Sequence, residues 1–568
     1  MHPCGTIFYL AATLCLFAGC DEDPLAEDDP LTRGAMSASQ TASRPNILWL
    51  VAEDMSPTIP PFGDSTIATP NLSRLAAEGI RYTHVFSPSG VCSPSRAAIA
   101  TGMYPTAIGA MHMRTGPWYA GAASAETIAS AAQYLPDGVV PYEAMPPAGV
   151  RMHSEYLREL GYYTSNNAKQ DYQFVAPATA WDANGRDAHW RDREPGQPFF
   201  SIFNFEVTHE SRIWGKSDDP LLVPDSVDVP IPPYLPDVAQ VRTDVRRMYS
   251  NIVEMDAQVG EILDQLEAEG LLDNTIIFWY TDHGGPLPRQ KRALYDSGLR
   301  VPMIISFPDG RGAGTVDDRL ISFIDFLPTL LSLAGEPAPD YVHGRAFLGA
   351  HEAPLREYIH AAADRFDEAY DTIRAVRDAR YKYLRNFDPD QPYYLPLSYR
   401  EQMATMQAML QMRDAGTLDP DELLWFRETK PEEELFDTQS DPHELNNLAD
   451  DQQFADVLER LRAEYERWQA TVPDYGQISE SDYIDMIWPE GDQPRTAMPT
   501  ADSSGQQILL ASATDGASIG YQVLDSSTAP GPTWRIHEGP VAVGSDERLI
   551  AVAHRIGYLP SDSLVVGR

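Results

Sequence analysis

Cys92 opens the run Cys92-Ser93-Pro94-Ser95-Arg96, and beyond the first twenty residues it is the only cysteine, the others being Cys4, Cys15 and Cys20. Once a leader is removed, no partner remains for a structural disulfide. The turn-forming Ser87-Pro88-Ser89-Gly90 precedes it, and Pro94 suits the first turn of a helix through Arg96-Ala97-Ala98-Ile99-Ala100. A thiol at a helix N-terminus is acidic, and the same N–H groups and dipole can hold an anion. Arg96, four residues on, lies on the same face. The plainer alternative, a buried cysteine acting as a small hydrophobe beside a surface arginine, fits poorly with such polar flanks.

Chemistry at such a helix needs a scaffold. Residues 46–52, Asn-Ile-Leu-Trp-Leu-Val-Ala, form a continuous apolar run expected of a strand buried on both faces, and the run ends in Glu53-Asp54. Acidic groups at the carboxyl end of a parallel strand stand where α/β sheets bind ligands. Thr69 and Pro70 predict a helix start with Thr69 as N-cap, and Gly79 predicts its stop. Residues 198–205 read as a strand leading to His209. A long helix is predicted over 243–269, with Val245, Met248, Ile252, Val259, Ile262 and Leu266 in helical repeat. Residues 275–280 then read as a strand running into Asp282-His283-Gly284. Strands alternating with helices predict an α/β fold with a mainly parallel sheet.

The Cys92 motif continues through Ala97-Ala98-Ile99-Ala100-Thr101-Gly102-Met103-Tyr104-Pro105, and over this span the chain resembles the formylglycine-dependent sulfatases. In that family the cysteine of Cys-x-Pro-x-Arg is oxidised to an aldehyde. Asp441-Pro442-His443-Glu444-Leu445-Asn446-Asn447-Leu448-Ala449 resembles the closing motif of the family's C-terminal subdomain, so the likeness runs from about residue 46 to 449. Glu53-Asp54 and the segment from Asn167 to Asp171 are similar to heparan N-sulfatase-like and other bacterial polysaccharide sulfatases. The resemblance implies an alkaline-phosphatase-like fold and hydrolysis of a sulfate ester or sulfamate on a sulfated polysaccharide or oligosaccharide.

It also implies roles. Cys92, as formylglycine (3-oxoalanine), hydrates to a gem-diol; one hydroxyl attacks sulfur, and loss of the other expels sulfate. Arg96 orients that residue. The family's divalent cation, usually Ca2+, is held by hard oxygen ligands, and the matching positions are Glu53, Asp54, Asp282 and His283, with the modified Cys92. Glu53 replaces the commoner Asp. Lys169, in Asn166-Asn167-Ala168-Lys169, matches the first sulfate-binding lysine, and Asp171 stands where many relatives carry a histidine. His209 fits the remaining histidine, able to protonate the leaving oxygen. In Pro286-Leu287-Pro288-Arg289-Gln290-Lys291-Arg292, Lys291 matches the second sulfate-contacting cation, with Arg289 and Arg292 as alternatives of register. A maturation enzyme that makes formylglycine is an implied partner.

Length and composition set the frame. At 568 residues and 43% hydrophobic content the chain is globular with two or more domains. Residues 1–20 read as a signal peptide whose Phe17-Ala18-Gly19-Cys20 resembles a lipobox, an ordinary secretory signal being the alternative. Export to the periplasm or cell envelope follows, with membrane contact only through a lipid on Cys20. Residues 21–44 read as an acidic and polar tether, 45–335 as the catalytic domain and 336–489 as a smaller α+β subdomain. Residues 490–568 read as a small β-sandwich, similar to the immunoglobulin-like tails of some carbohydrate-active enzymes. A net charge of −40 excludes nucleic acid as a general partner and requires any sulfate site to be locally basic. Two rivals stand beside the sulfatase reading: a phosphodiesterase or phosphonate monoester hydrolase of the same superfamily, and a lipid-anchored glycan-binding protein.

Overall fold

The computed structural model describes residues 44–118, 124–132, 135–504 and 507–567. The leader, Cys20 and the tether up to residue 43 lie outside them. Among the described residues, no helix is long and apolar enough to cross a membrane.

The apolar run at 46–52 is strand β1 (Asn46–Ala52), buried along its whole length. Its odd residues Ile47, Trp49 and Val51 pack into one core, and its even residues Leu48, Leu50 and Ala52 into another. A strand presents alternate residues to opposite faces, so only a two-sided core explains the unbroken run. Around it are β2 (Gly79–Phe86), β3 (Tyr163–Asn167), β4 (Ala183–Asn184), β5 (Phe199–Phe205), β6 (Thr275–Thr281), β7 (Arg300–Ser306), β8 (Val316–Asp317) and β9 (Ile321–Ser322). The sheet order is β4-β3-β5-β1-β6-β7-β2-β8, with β9 also on β2. All pairings are parallel except those that β7 makes with β6 and β2. The expected mainly parallel sheet is therefore present.

Register decides what meets at the sheet's edge. Ala52 pairs with Phe205 on one side and Thr281 on the other, so Glu53-Asp54, the segment leading to His209, and Asp282-His283 leave the sheet side by side. The long helix spans Ala239–Ala268 and buries Val241, Val245, Met248, Ile252, Met255, Val259, Leu263 and Leu266 on the β1 face.

Helix α1 (Pro70–Glu78) starts and stops where expected, but Thr69 makes no side-chain cap. Asp256 of the long helix does that work: its carboxylate accepts the N–H groups of Asn71 and Leu72, at 3.2 and 2.8 Å. Helix α2 (Cys92–Thr101) has all ten residues buried. It ends at Gly102, whose φ of 69° and tight approach to Val342 suit only glycine.

After this sheet, β10 (Ile359–Ala363), β11 (Ile373–Arg377), β12 (Tyr381–Asn386) and β13 (Glu433–Asp437) form an antiparallel sheet in that order. Helix Ala455–Thr471 covers it through Leu461, which joins Val376, Tyr383 and Leu435. The last strands are β14 (Thr500–Ser504), β15 (Gln507–Ala511), β16 (Ser518–Asp525), β17 (Arg535–Ile536), β18 (Val541–Ala542), β19 (Glu547–His554) and β20 (Leu564–Gly567). They make two antiparallel sheets, β14-β15-β18 and β17-β16-β19-β20, which share a core of Ile508, Leu510, Val541, Leu549 and Ala551. This tail is tied to the catalytic sheet's flank by Arg158, which donates to the Trp534 carbonyl at 2.6 Å, and by Gln493, which donates to Glu143 at 2.9 Å.

Candidate active site

Cys92 lies at the first turn of α2, buried, with its Sγ 3.3 Å from His283 Nε2 and 3.9 Å from Asp54 Oδ1. The side chains of Asp54, Cys92, Asp282 and His283 offer ligand atoms within 4.8 Å of one another. Asp54 reaches this pocket because its backbone turns to a φ of 49° straight after β1, where its N–H donates to Asp282 Oδ1 at 3.1 Å. Ser95 adds a hydrogen bond from its hydroxyl to the Asp282 carbonyl, tying α2 to the end of β6.

The two aspartates are fully buried, which by itself would raise their pKa values. Lys291, then His209 and His283, outweigh burial at Asp54 and hold it well below the usual range. His283 and then Arg96 do the same at Asp282. Burial would also favour neutral His283, but Asp282 and Asp54 bring its pKa up to about 10. The pocket thus draws positive charge to itself, and its two carboxylates are the hard oxygen donors that a divalent cation prefers. The donor set fits a metal ion.

The other cations approach from separate elements. Arg96 donates from Nε to Asp282 at 3.0 Å and from Nη1 to Asn204 Oδ1 at 2.7 Å, and its Nη2 lies 3.4 Å from Glu53. Lys169, two residues past β3, places Nζ 3.0 Å from Glu53 and 3.6 Å from Asp171. Glu53 is thus held between two cations and lies outside the four-residue cluster. Its pKa is nonetheless raised, since burial exceeds the pull of Lys169 and Arg96. Asp171 accepts the Ser93 hydroxyl, so the carboxylate found at the usual second-histidine position braces the residue after Cys92.

Lys291 is the member of its basic loop that faces the site: Nζ lies 2.7 Å from Asp54 Oδ2, 3.2 Å from Glu210 and 3.2 Å from His209 Nε2. Arg289 instead donates to the carbonyls of His443 and Glu444, at 2.9 and 2.8 Å, while stacking on Tyr295. Arg292 grips both oxygens of Glu210 at 2.8 and 2.9 Å and reaches Asp367 at 2.9 Å. Asp367 also pairs with Arg114, so a ladder runs from half-buried Arg114 through buried Asp367, Arg292, Glu210 and Lys291 to Asp54. Of these, Arg114, Glu210 and Asp367 went unnoticed in the sequence. Glu210 adjoins His209 and so had a signal; Arg114 and Asp367 lie in irregular segments far apart and had none.

His209 lines the mouth of the site. Its Nδ1 accepts the Ser211 N–H at 3.2 Å and faces the Ser211 hydroxyl at 2.8 Å, leaving Nε2 toward Lys291 and the opening. Burial, then Lys291, pushes its pKa well down. Above these groups opens a cleft of about 510 Å3, lined in part by Cys92, Arg114, Lys169, Asp171, His209 and Tyr399. In a chain of net charge −40 the cleft carries four cationic side chains, since Arg186 and Arg212 also line it.

A basic cleft floored by a cysteine and a buried carboxylate pair, at the carboxyl edge of a parallel sheet, belongs to the class of α/β hydrolases that take anionic esters. The chain is a member of the sulfatase family, and its reaction is the hydrolysis of sulfuric esters: the Sulfatase family model matches residues 45–336, and the model for the N-sulphoglucosamine sulphohydrolase C-terminal region matches 289–396. The chain is 47% identical over 558 residues to an ulvan-active sulfatase of Formosa agariphila, covering 92% of this chain and 91% of that one. It is 25% identical over 465 residues to the N-sulphoglucosamine sulphohydrolase of Homo sapiens, covering 75% and 89%. Among solved structures, one in complex with its substrate D-glucosamine-2-N,6-O-disulfate superposes with a TM-score of 0.52 at 16% identity, over 76% of this chain and 99% of that one. The phosphonate monoester hydrolase of Agrobacterium radiobacter superposes at 0.50, also at 16% identity, over 77% and 99%. These two likenesses establish the fold and do not choose between sulfur and phosphorus.

Proposed function

We propose that this protein is an exported polysaccharide sulfatase, with ulvan the first substrate to test because the 47% identical relative is an ulvan-active sulfatase. The observation that carries the reading is the meeting of Cys92, Lys169 and His209 in the lining of one cleft, with buried Lys291 3.2 Å from His209. Cys92 oxidised to formylglycine and hydrated would supply a hydroxyl nucleophile, and Ca2+ among Asp54, Asp282, His283 and residue 92 would draw charge from the sulfate oxygens. Lys169 and Lys291 seat the sulfate, each backed by a carboxylate that fixes its position. Arg96 holds Asp282 and Glu53 in place and orients residue 92. His209 delivers a proton from Nε2 to the departing alcohol oxygen, with the Ser211 hydroxyl able to accept from Nδ1 when the ring is charged.

The formylglycine step requires a maturation enzyme as partner, and export with a lipid on Cys20 would place the protein at the cell envelope. The test is sulfate release from ulvan and from a panel of defined O- and N-sulfated saccharides, with a phosphodiester and a phosphonate ester in parallel. Sulfate release that disappears in Cys92→Ala supports the reading. Faster turnover of the phosphorus esters, or sulfate release that survives Cys92→Ala, refutes it.

A further inference from the structure

We propose that Arg186 and Arg212 form a subsite for a second anionic group of the substrate, one saccharide position away from the sulfate being removed. The inference rests on the sulfatase reading and names what the neighbouring sugar carries: a carboxylate or a further sulfate.

The cleft above Cys92 does not end at its own wall. A second cavity, also about 510 Å3, adjoins it, and the two share Ala168, Arg186, Glu206 and Arg212 as lining. Both arginines therefore stand at the junction of a groove longer than one sulfate needs. Both are solvent-exposed. Arg186 makes no ion pair among the described residues. Arg212 meets Glu206 only at 3.7 Å, with the two side chains 46% and 38% exposed, a pair too wet and long to occupy the guanidinium. In a chain of net charge −40, where most arginines beside this site are paired, an unpaired one facing a groove calls for a ligand.

Each arginine is held in register with a sulfate-facing residue. The carbonyl of Arg186 accepts Asn167 Nδ2 at 2.6 Å, and Gly185 N–H donates to Asn166 at 3.0 Å, so the segment after β4 is fastened to the end of β3 that delivers Lys169. Arg212 is on the short helix Ser211–Gly215, three residues past His209, and its N–H donates to the His209 carbonyl at 2.8 Å. The spacing between the two anion positions is thus fixed by backbone pairing, which is what reading a repeating polyanion requires. Deeper in the second cavity Asp219 and Glu254 appear, with Glu254 bound to Lys216, so the subsite ends at the junction.

The test uses the full chain and two probes, measured by calorimetry at low ionic strength: tetragalacturonate, whose only anions are carboxylates, and sulfated maltotetraose, whose only anions are sulfates. The Arg186→Gln/Arg212→Gln double variant weakens at least one probe about tenfold or more, and the probe affected identifies the second group. In turnover, its KM for the sulfated polysaccharide rises at least several-fold more than its KM for a monosulfated monosaccharide. No binding of either probe by the unaltered protein, unchanged binding of both by the double variant, or equal KM rises overturn the subsite. Absence of turnover on any sulfate ester would instead refute the sulfatase reading, while the binding comparison would still decide the subsite.

Discussion

His209→Ala tests the proton-transfer step while leaving the Asp54, Cys92, Asp282 and His283 donors in place, because the ring lies at the cleft mouth, 3.2 Å from Lys291, and meets that set only through Asp54. Burial and Lys291 keep the unliganded imidazole neutral. An anion seated between Lys169 and Lys291 reverses that balance, because negative charge favours the imidazolium. The charged ring gives up the Ser211 N–H that Nδ1 accepts when neutral, and then has Ser211 Oγ as partner at Nδ1 and the leaving oxygen at Nε2. A positioned general acid contributes roughly 10²- to 10⁴-fold, about 3–5 kcal/mol of barrier. That amount is at stake only when the leaving group is a poor one. His209→Ala therefore lowers kcat/KM by roughly 10²- to 10⁴-fold on a sulfated sugar and by less than about tenfold on an aryl sulfate, whose phenolate departs unaided. Steady-state sulfate release on both substrates, in parallel with a thermal melt to show that the variant is folded, gives the comparison. Equal losses on the two substrates would refute His209 as the acid, and restoring histidine at Asp171 should not be needed for turnover in the parent protein.

Chelation followed by dialysis abolishes sulfate release and added Ca2+ restores it; Asp282→Ala stays inactive at any Ca2+ level, because it removes a buried carboxylate and also frees Arg96 and the Asp54 N–H. Full activity in chelator with no metal retained would exclude the pocket. Cys92→Ala folds yet loses turnover, and peptide mass spectrometry of active protein finds an aldehyde at position 92; an unmodified thiol in fully active protein contradicts this. Glu434 is buried, accepts from Tyr393 and Asn386, and has its pKa raised to about 8, chiefly by burial. Because its folded pKa lies above its unfolded value, the native state binds the extra proton between about pH 4.5 and 8, and stability falls as pH rises through that window. Glu434→Gln should therefore stabilise the protein more at pH 8 than at pH 5, by a differential on the order of a few kcal/mol that is read as a larger rise in melting temperature at pH 8; equal shifts at both values would refute the assignment.

The catalytic sheet was legible because its strands are buried on both faces, leaving unbroken apolar runs at 46–52 and 275–280 whose ends mark the site. Cys92 was legible because proline and a turn frame the start of α2. The basic loop was only half legible. Arg289 and Arg292 both adopt left-handed backbone, with φ of 63° and 71°, so three nearby cations point to three different places, and no periodicity predicts which faces the cleft. Thr69 illustrates another limit: a sequence identifies a capping residue type, whereas the real cap, Asp256, arrives from a helix nearly two hundred residues away. The Arg114–Asp367–Arg292–Glu210 ladder is unreadable for the same reason, since its members become neighbours only when the antiparallel β10-β11-β12-β13 region packs beside the main sheet.

That ladder explains how a strongly acidic protein keeps a basic cleft. Screening in salt limits charge effects between exposed groups to about 8–10 Å, so the net charge of −40 matters little at contact distance. What matters is that Lys169, Lys291 and Arg96 each turn one side to a buried carboxylate, Glu53, Asp54 or Asp282. Buried ion pairs contribute little net stability, and removing one partner is costly. Their value here is geometric: the carboxylates hold the cations in position before the substrate arrives, so little reorganisation is needed as charge moves in the transition state. Arg186 has no ion-pair partner among the described residues and Arg212 only a long, exposed one, so the proposed subsite would recognise the substrate and leave charge stabilisation to the buried set.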